Sequence, residues 1–164
     1  MERVTGASTN MTNVLLDERR TLGLCTFWLG GKLYGLDVGL VGEVVAIDVV
    51  VPVPVSPPEV LGLFNLRGNP VVLLDLADVL GFPTAPSPPA VALVLHTTEF
   101  PIAFGADRME AVVRTERGQS LAPGPEDHVA VAGFVTLESG VVTVLDPRVL
   151  LARVEQLRFS NEKE

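Results

Sequence analysis

The chain repeats itself about 70 residues apart, and this repetition constrains its fold more than any other feature. The Tyr-Gly-Leu-Asp run at 34–37 returns as Phe-Gly-Ala-Asp at 104–107. A glycine and an aspartate 13 residues apart occur twice, as Gly62 with Asp75 and as Gly133 with Asp146. Internal repetition reports architecture before it reports chemistry. It predicts two similar β-rich subdomains, and it directs the search for function to positions where the copies differ.

The repeat also sets the expected domain organisation. We expect one domain at residues 23–157, with subdomains at about 23–82 and 90–150. Each half alone could bury too little surface to be stable, so the halves should share a core or pack closely. Residues 1–22 are expected to form a flexible or partly helical arm, and residues 147–159 a C-terminal helix.

Short apolar runs at regular spacing, with little helical periodicity, favour barrels over an alternating β-α-β arrangement. The mean hydropathy is high, at +0.40, and Val and Leu supply most of the excess. Such runs are typical of strands packed on one or both faces. Gly30-Gly31 and Gly68-Asn69 are predicted hairpin turns. The expected fold class is mainly β, with two SH3-like five-stranded β-barrel subdomains, short helices and a C-terminal helix.

Charge and composition exclude several classes of partner. The formal net charge of −8 disfavours nucleic acid, which requires a basic surface. A membrane span needs about 20 predominantly apolar residues, and the most apolar stretch, Val38 to Val55, is interrupted by Glu43, Asp48 and two prolines, so we expect no membrane insertion. Cys25 is the only cysteine, and no secretory signal is evident, so we expect a reducing cytoplasmic compartment.

No set of residues in the sequence suggests catalysis. His96 and His128 lack a second histidine or cysteine at ligand spacing, so a metal site is not expected. A Cys25–His96 nucleophile pair would need an orienting group that the sequence does not indicate. Gly30-Gly31 lacks the context of a phosphate-binding loop. We therefore expect a protein that is not an enzyme and that carries no cofactor.

Three segments, in this order, carry a resemblance to a known family: Phe27–Leu29 with Tyr34–Asp37, Val41–Val45, and Gly62 followed by Asn65-Leu66-Arg67-Gly68 and Asp75-Leu76. Together they resemble the CheW family of chemotaxis adaptor proteins, and the resemblance covers about residues 23–152. The Asn-Leu-Arg-Gly run would be weak alone. Its position inside a tandem repeat makes it specific.

The resemblance implies a signalling scaffold of the cytoplasm that is recruited to membrane receptor arrays. Such proteins couple the cytoplasmic tips of methyl-accepting receptors to the regulatory domain of a CheA-type histidine kinase, which shares the double-barrel fold. The resemblance also implies that the receptor tip lies in the groove between the two barrels and that the kinase contacts the barrel ends.

Arg67 is the leading candidate for partner binding. Its counterpart in the second copy is Glu138, so the two copies carry opposite charges at equivalent hairpin positions. One reading is a guanidinium presented to carboxylate or carbonyl groups of a receptor helix. The other is an internal ion pair with Glu43 that stiffens the first barrel. Both can hold at once.

The remaining candidates each have a structural alternative. Asn65 either braces a turn through its side chain or contacts the partner. Val41, Phe104 and Met109 either line an apolar groove for a helical hairpin or belong to the core. The repeated aspartates are expected in turns and helix caps, and catalytic carboxylates are the weaker reading; they are Asp37, Asp75, Asp107 and Asp146.

Two other functions remain open beside the adaptor. A self-assembling structural component could close rings through contacts between CheW-like domains, which sedimentation would detect. A small enzyme or ligand-binding β-barrel would be stabilised by a specific small molecule in a thermal-shift panel.

Overall fold

The computed structural model describes residues 21–82, 88–96, 100–116 and 119–162. Within these ranges lie ten strands and two helices: β1 (Thr21–Leu29), β2 (Lys32–Asp37), β3 (Val41–Ala46), β4 (Val60–Leu66), β5 (Asn69–Leu74), α1 (Leu76–Leu80), β6 (Val91–Leu95), β7 (Ile102–Ala106), β8 (Arg108–Glu116), β9 (Val131–Leu137), β10 (Gly140–Leu145) and α2 (Pro147–Glu162). Of the arm expected at residues 1–22, all but Thr21 and Leu22 lie outside the described residues, and those two open β1. The C-terminal helix begins at Pro147 as expected and continues beyond residue 159.

The strands form two five-stranded sheets, which confirms the mainly β fold class. Sheet A has the order β8-β1-β2-β10-β9, and sheet B has the order β3-β6-β7-β5-β4. The two orders become identical when each strand is replaced by its repeat counterpart, so the sequence repeat is also a repeat of topology.

The sheets do not follow the expected subdomains at residues 23–82 and 90–150. Sheet A joins β1 and β2 to three strands of the second half, and sheet B joins β6 and β7 to three strands of the first. Each half therefore places its first hairpin in the sheet of the other half, through the parallel pairs β2–β10 and β5–β7. The physical reason is burial, because β2 and β7 are largely buried and each occupies the central position of its sheet.

Three apolar clusters hold this arrangement together. One cluster belongs to sheet B and contains Leu73, another belongs to sheet A and contains Leu24. The third and largest cluster is shared by both sheets and both helices, and it contains Phe27, Leu74 and Phe104. Leu73 and Leu74 are neighbours that face different clusters, which is expected of a strand buried on both sides. The shared cluster confirms that the two halves have a common core.

Glycine is required at both repeated positions for the same steric reason. Gly62 and Gly133 each lie at a bulge. The residue after each glycine forms an isolated bridge to an earlier segment of the chain, through the pairs Leu63–Val51 and Phe134–Leu121. A Cβ at Gly62 would lie 2.4 Å from the carbonyl oxygen of Val51, and one at Gly133 would lie 2.7 Å from that of Leu121. Only glycine permits this approach of one backbone to another.

The four repeated aspartates all accept hydrogen bonds from backbone N–H groups, which confirms their expected place in turns and caps. The N–H donors and their distances are Gly39 to Asp37 at 2.8 Å, Ala77 to Asp75 at 3.0 Å, Gly30 to Asp107 at 2.9 Å and Arg148 to Asp146 at 2.9 Å. Asp75 is the N-cap of α1, and Asp146 precedes α2 in the same way.

Candidate functional site

The β4–β5 hairpin turns at Arg67-Gly68, so the expected turn at Gly68-Asn69 is wrong by one residue. Both turn residues have positive φ angles, 49° for Arg67 and 87° for Gly68. Two-residue turns of this kind match the twist of the flanking strands but favour Asn or Gly at both positions. The Asn65 Oδ1 accepts the N–H of Gly68 at 2.7 Å, which confirms that Asn65 braces the turn. Arg67 is thus held in a conformation that arginine rarely adopts.

The Arg67 guanidinium forms a two-point ion pair with the Glu43 carboxylate. Nη1 donates to Oε2 at 3.0 Å, and Nη2 donates to Oε1 at 2.5 Å. The Arg67 side chain remains 70% exposed and the Glu43 side chain 34% exposed. Hydrogen bonding from Arg67 lowers the pKa of Glu43, and the same bond raises the pKa of Arg67. The internal ion pair therefore exists, and it leaves most of the guanidinium open to a partner.

The equivalent hairpin in sheet A is built differently. Its turn is Glu138-Ser139, and Glu138 makes no hydrogen bond or ion pair within the described part of the chain. The strand registers place Val113 of β8 where β3 has Glu43. Glu110, three residues earlier, accepts the indole N–H of Trp28 at 2.7 Å and lies 3.6 Å from Arg108. The described part of the second copy therefore has no counterpart of the Arg67–Glu43 ion pair.

The apolar candidates separate into surface and core. Val41, in β3, and Met109, in β8, are partly buried and pack against the margin of the shared cluster. These two strands are outer strands of the two sheets, and both side chains contact the cluster that the sheets share. Phe104 is 0% exposed, so the reading of Phe104 as a groove-lining contact is wrong. It lies on the central strand β7, where both faces are covered.

One surface feature was missed by the sequence analysis. An open groove of about 590 Å³, which we call the hairpin groove, separates the β4–β5 hairpin from the start of β7. Its lining is mostly apolar: Leu63, Leu66, Arg67, Asn69, Pro70, Val71, Val72, Phe100 and Pro101. A signal existed in the repeat, because Phe100-Pro101 occupies the position of Gly30-Gly31 in the first copy. The bulky pair forms one wall of the groove.

Several titratable side chains outside the hairpin groove are buried or bonded within the fold. Burial raises the pKa of the Cys25 thiol and of the Tyr34 hydroxyl. The His128 Nδ1 accepts the N–H of Ala130 at 3.0 Å, and its ring packs edge-on against Phe82. Across residues 21–82, 88–96, 100–116 and 119–162, no three His, Cys, Asp or Glu side chains are grouped to hold a metal ion. In the same ranges no helix is long and apolar enough to cross a membrane.

Comparison with known proteins gives one consistent result. The family described as "CheW-like domain" matches residues 23–155. The chemotaxis protein CheW of Thermotoga maritima is 27% identical over 105 residues, which cover 64% of this chain and 70% of that protein. The chemotaxis protein CheW of Treponema pallidum is 43% identical over 53 residues, which cover 32% of this chain and only 31% of that protein.

The fold is also that of a solved structure. The scaffolding protein TtCheW from Thermoanaerobacter tengcongensis superposes with a TM-score of 0.67 over 79% of this chain and 86% of that one, at 22% sequence identity. The match of the family over most of the chain, the paired five-stranded sheets and the repeated hairpins all agree. This chain belongs to the CheW-like family of chemotaxis adaptor proteins, whose members are non-catalytic scaffolds.

Proposed function

We propose that this protein is a non-catalytic adaptor of the cytoplasm that couples methyl-accepting receptors to a CheA-type histidine kinase within receptor arrays. The observation that carries the proposal is the state of Arg67. Its side chain is 70% exposed and fixed by Glu43, and its backbone has a φ of 49°. A backbone conformation of this kind costs stability, and the surrounding structure must hold it in place. Residues in such conformations are concentrated at functional sites.

The receptor would contact a surface that we call the Arg67 face, formed by Arg67, Glu43, Asn65, Val41 and Met109. A guanidinium has five N–H donors, and Glu43 engages two of them. The remaining donors are available to carboxylates or carbonyls of a receptor helix. Because Glu43 already fixes the rotamer, less side-chain entropy is lost when the partner binds.

The apolar part of this face suits a helical partner. Val41 and Met109 come from outer strands of the two sheets and are partly exposed beside the cluster that the sheets share. An amphipathic helix that lies along the margin of this cluster would cover both side chains, which is the helix-in-groove mode of recognition. Arg67 and Glu43 would then provide polar contacts at the rim of the groove.

The kinase would bind elsewhere, at the ends of the two barrels. Several large apolar side chains outside the Arg67 face are more than half exposed, and a bound kinase domain would cover some of them. They lie in the segments that flank the repeated glycines, and they are Val49, Val51, Leu121 and Val129. A kinase regulatory domain with the same fold could pair with either end.

Calorimetric titration of a receptor-tip fragment and, separately, of a kinase regulatory domain tests this proposal. We expect Arg67→Ala to weaken receptor binding at least about tenfold, because hydrogen bonds to charged groups contribute about 1.5–3 kcal/mol, and to leave kinase binding unchanged. Glu138→Ala is the matched control, because it removes an exposed hairpin charge at the repeat-equivalent position and should bind like the wild type. If the wild-type chain bound neither the receptor-tip fragment nor the kinase regulatory domain, the proposal would be refuted.

A further inference from the structure

The two apolar side chains of the Arg67 face, Val41 and Met109, interrupt the alternation of their strands. Met109 and Val113 are an even number of residues apart in β8, so an unbroken strand would present both on one face. Val113 instead packs against the cluster of sheet A, whereas Met109 packs against the cluster that both sheets share. Val41 and Val45 differ in the same way, since Val45 packs against the cluster of sheet B.

A β-bulge causes this reversal in both strands. The register between β8 and β1 skips Glu110, which directly follows Met109. The register between β3 and β6 skips Gly42, which directly follows Val41. One inserted residue exchanges the two faces of the strand on either side of it. The two bulges therefore turn Met109 and Val41 toward the shared cluster and place them on the Arg67 face.

The bulge in β8 is held by the hydroxyl of Thr26, a side chain that is 0% exposed. Thr26 Oγ1 donates to the carbonyl oxygen of Ala111 at 2.6 Å and accepts the N–H of Ala111 at 3.1 Å. Because Ala111 directly follows the inserted Glu110, one hydroxyl bonds both backbone groups at the point where the strand pairing is interrupted. The Glu110 carboxylate is fixed separately, since it accepts the indole N–H of Trp28 at 2.7 Å.

We propose that Thr26 is a positioning residue for receptor binding: its hydroxyl maintains the bulge in β8, and the bulge places Met109 on the Arg67 face. The inference rests on the proposed adaptor function and adds to it a residue that the receptor does not touch. Without the hydroxyl, the buried N–H and carbonyl groups of Ala111 would lose their partner, which is costly. The strand would regain this bonding by absorbing the inserted residue, and Met109 would then turn away from the receptor.

Thr26→Val tests the proposal, because valine has nearly the same shape as threonine and lacks the hydroxyl. In calorimetric titrations we expect it to weaken receptor-tip binding about tenfold, as loss of an apolar contact of this size would, and to leave kinase-domain binding unchanged. Thr26→Ser retains the hydroxyl and should bind the receptor tip like the wild type. Thr115→Val is the matched control, because Thr115 is the other buried threonine of the described chain and lies in the regular part of β8. It should also retain receptor binding.

A methyl NMR signal reports the position of Met109 in the absence of any partner. The chain has three methionines, of which only Met109 lies within the matched domain at residues 23–155, so its signal can be assigned. In the wild type we expect nuclear Overhauser contacts from this methyl group to the ring of Phe27, its cross-strand neighbour in the shared cluster. Thr26→Val should lose these contacts, whereas Thr26→Ser and Thr115→Val should keep them.

Met109→Ala provides a second test that does not depend on how well Thr26→Val folds. It removes the positioned side chain and should weaken receptor binding to the same extent. The double variant should bind no more weakly than either single variant, because both substitutions remove the same contact. Losses that add in the double variant would mean that Thr26 acts on binding by another route, and they would overturn the inference.

The two readouts separate failure of this inference from failure of the adaptor proposal. A wild-type chain that bound no receptor tip would refute the adaptor proposal, and the methyl signal would still decide whether Thr26 positions Met109. Unchanged methyl contacts or unchanged receptor affinity in Thr26→Val would overturn the inference. An equal loss of receptor binding in Thr115→Val would also overturn it, because the effect would then reflect lost stability alone.

Discussion

Arg67 and Glu43 join the two outer strands of one sheet. Glu43 lies in β3, Arg67 directly follows β4, and these strands are at opposite ends of the order β3-β6-β7-β5-β4. Their two-point ion pair can form only if sheet B curls until its edges approach each other. The pair is therefore a closing contact of the barrel as well as an exposed polar surface, and substitutions can separate these two roles.

Replacing Arg67 by Asn separates binding from stability. Asparagine suits a positive φ and a two-residue hairpin turn, so the backbone gain should offset the lost ion pair. We expect the thermal midpoint to stay within roughly 3 °C of the wild type while receptor binding falls. Differential scanning calorimetry beside the binding titration measures both, and a large loss of stability would show that Arg67 acts mainly as a structural residue.

Replacing Glu43 by Gln should change how stability depends on pH. The bond from Arg67 lowers the pKa of Glu43, so its contribution is present above the unfolded pKa of about 4.3 and is lost as pH falls through the folded pKa. Denaturant midpoints of wild type and Glu43→Gln should therefore differ at pH 7 and converge toward about pH 3. A difference for Glu43→Gln that does not vary with pH would contradict the prediction.

Alanine at Gly62 tests the close approach of two backbones. Gly62 has a φ of 148°, and an added Cβ would lie 2.4 Å from the Val51 carbonyl oxygen. Gly68 also has a positive φ, of 87°, but its Cβ would meet nothing within 4 Å. Chemical denaturation should show that Gly62→Ala costs at least about 1 kcal/mol more than Gly68→Ala. Equal losses would mean that the bridge at Val51 does not constrain the fold.

Asp75 is the N-cap of α1, and burying its charged carboxylate is unfavourable for folding. Burial raises its pKa, so its contribution to stability is complete below the unfolded pKa and declines as pH rises through the folded pKa. Asp75→Asn keeps an acceptor for the Ala77 and Asp78 N–H groups without the charge, and it should be at least as stable as the wild type at pH 7. Asp75→Ala loses the cap and should cost about 0.5–2 kcal/mol. Equal destabilisation by both substitutions in urea titrations would contradict this account.

Much of the framework follows from local patterns in the sequence. The spacing of Gly62 and Asp75, repeated at Gly133 and Asp146, marks a bulge and a helix start that local steric and hydrogen-bonding rules require. The exchange of hairpins between the sheets does not follow from such patterns. Local patterns predict β2 and β7 as strands, but they cannot identify the distant strand that lies beside each of them.

The site was predictable in the same uneven way. The opposite charges of Arg67 and Glu138 directed attention to this hairpin, and the predicted bond between Arg67 and Glu43 is present in the structure. The binding role of the hairpin stays a prediction. The turn was displaced by one residue because Gly68-Asn69 fits a turn better than Arg67-Gly68 does. In the structure, the bond from the Gly68 N–H to Asn65 braces a turn in which Arg67 has a positive φ. Phe104 was misplaced because an apolar residue on a central strand and one at a groove look alike in sequence.

The most direct test of the adaptor account is a three-component sedimentation experiment. A clustered receptor-tip fragment is pelleted with a kinase regulatory domain, in the presence or absence of this chain. The account predicts that the kinase domain enters the pellet only when the chain is present, and that Arg67→Ala returns it to the supernatant. Retention of the kinase domain in the supernatant at saturating wild-type chain would contradict the claim that this protein couples the two.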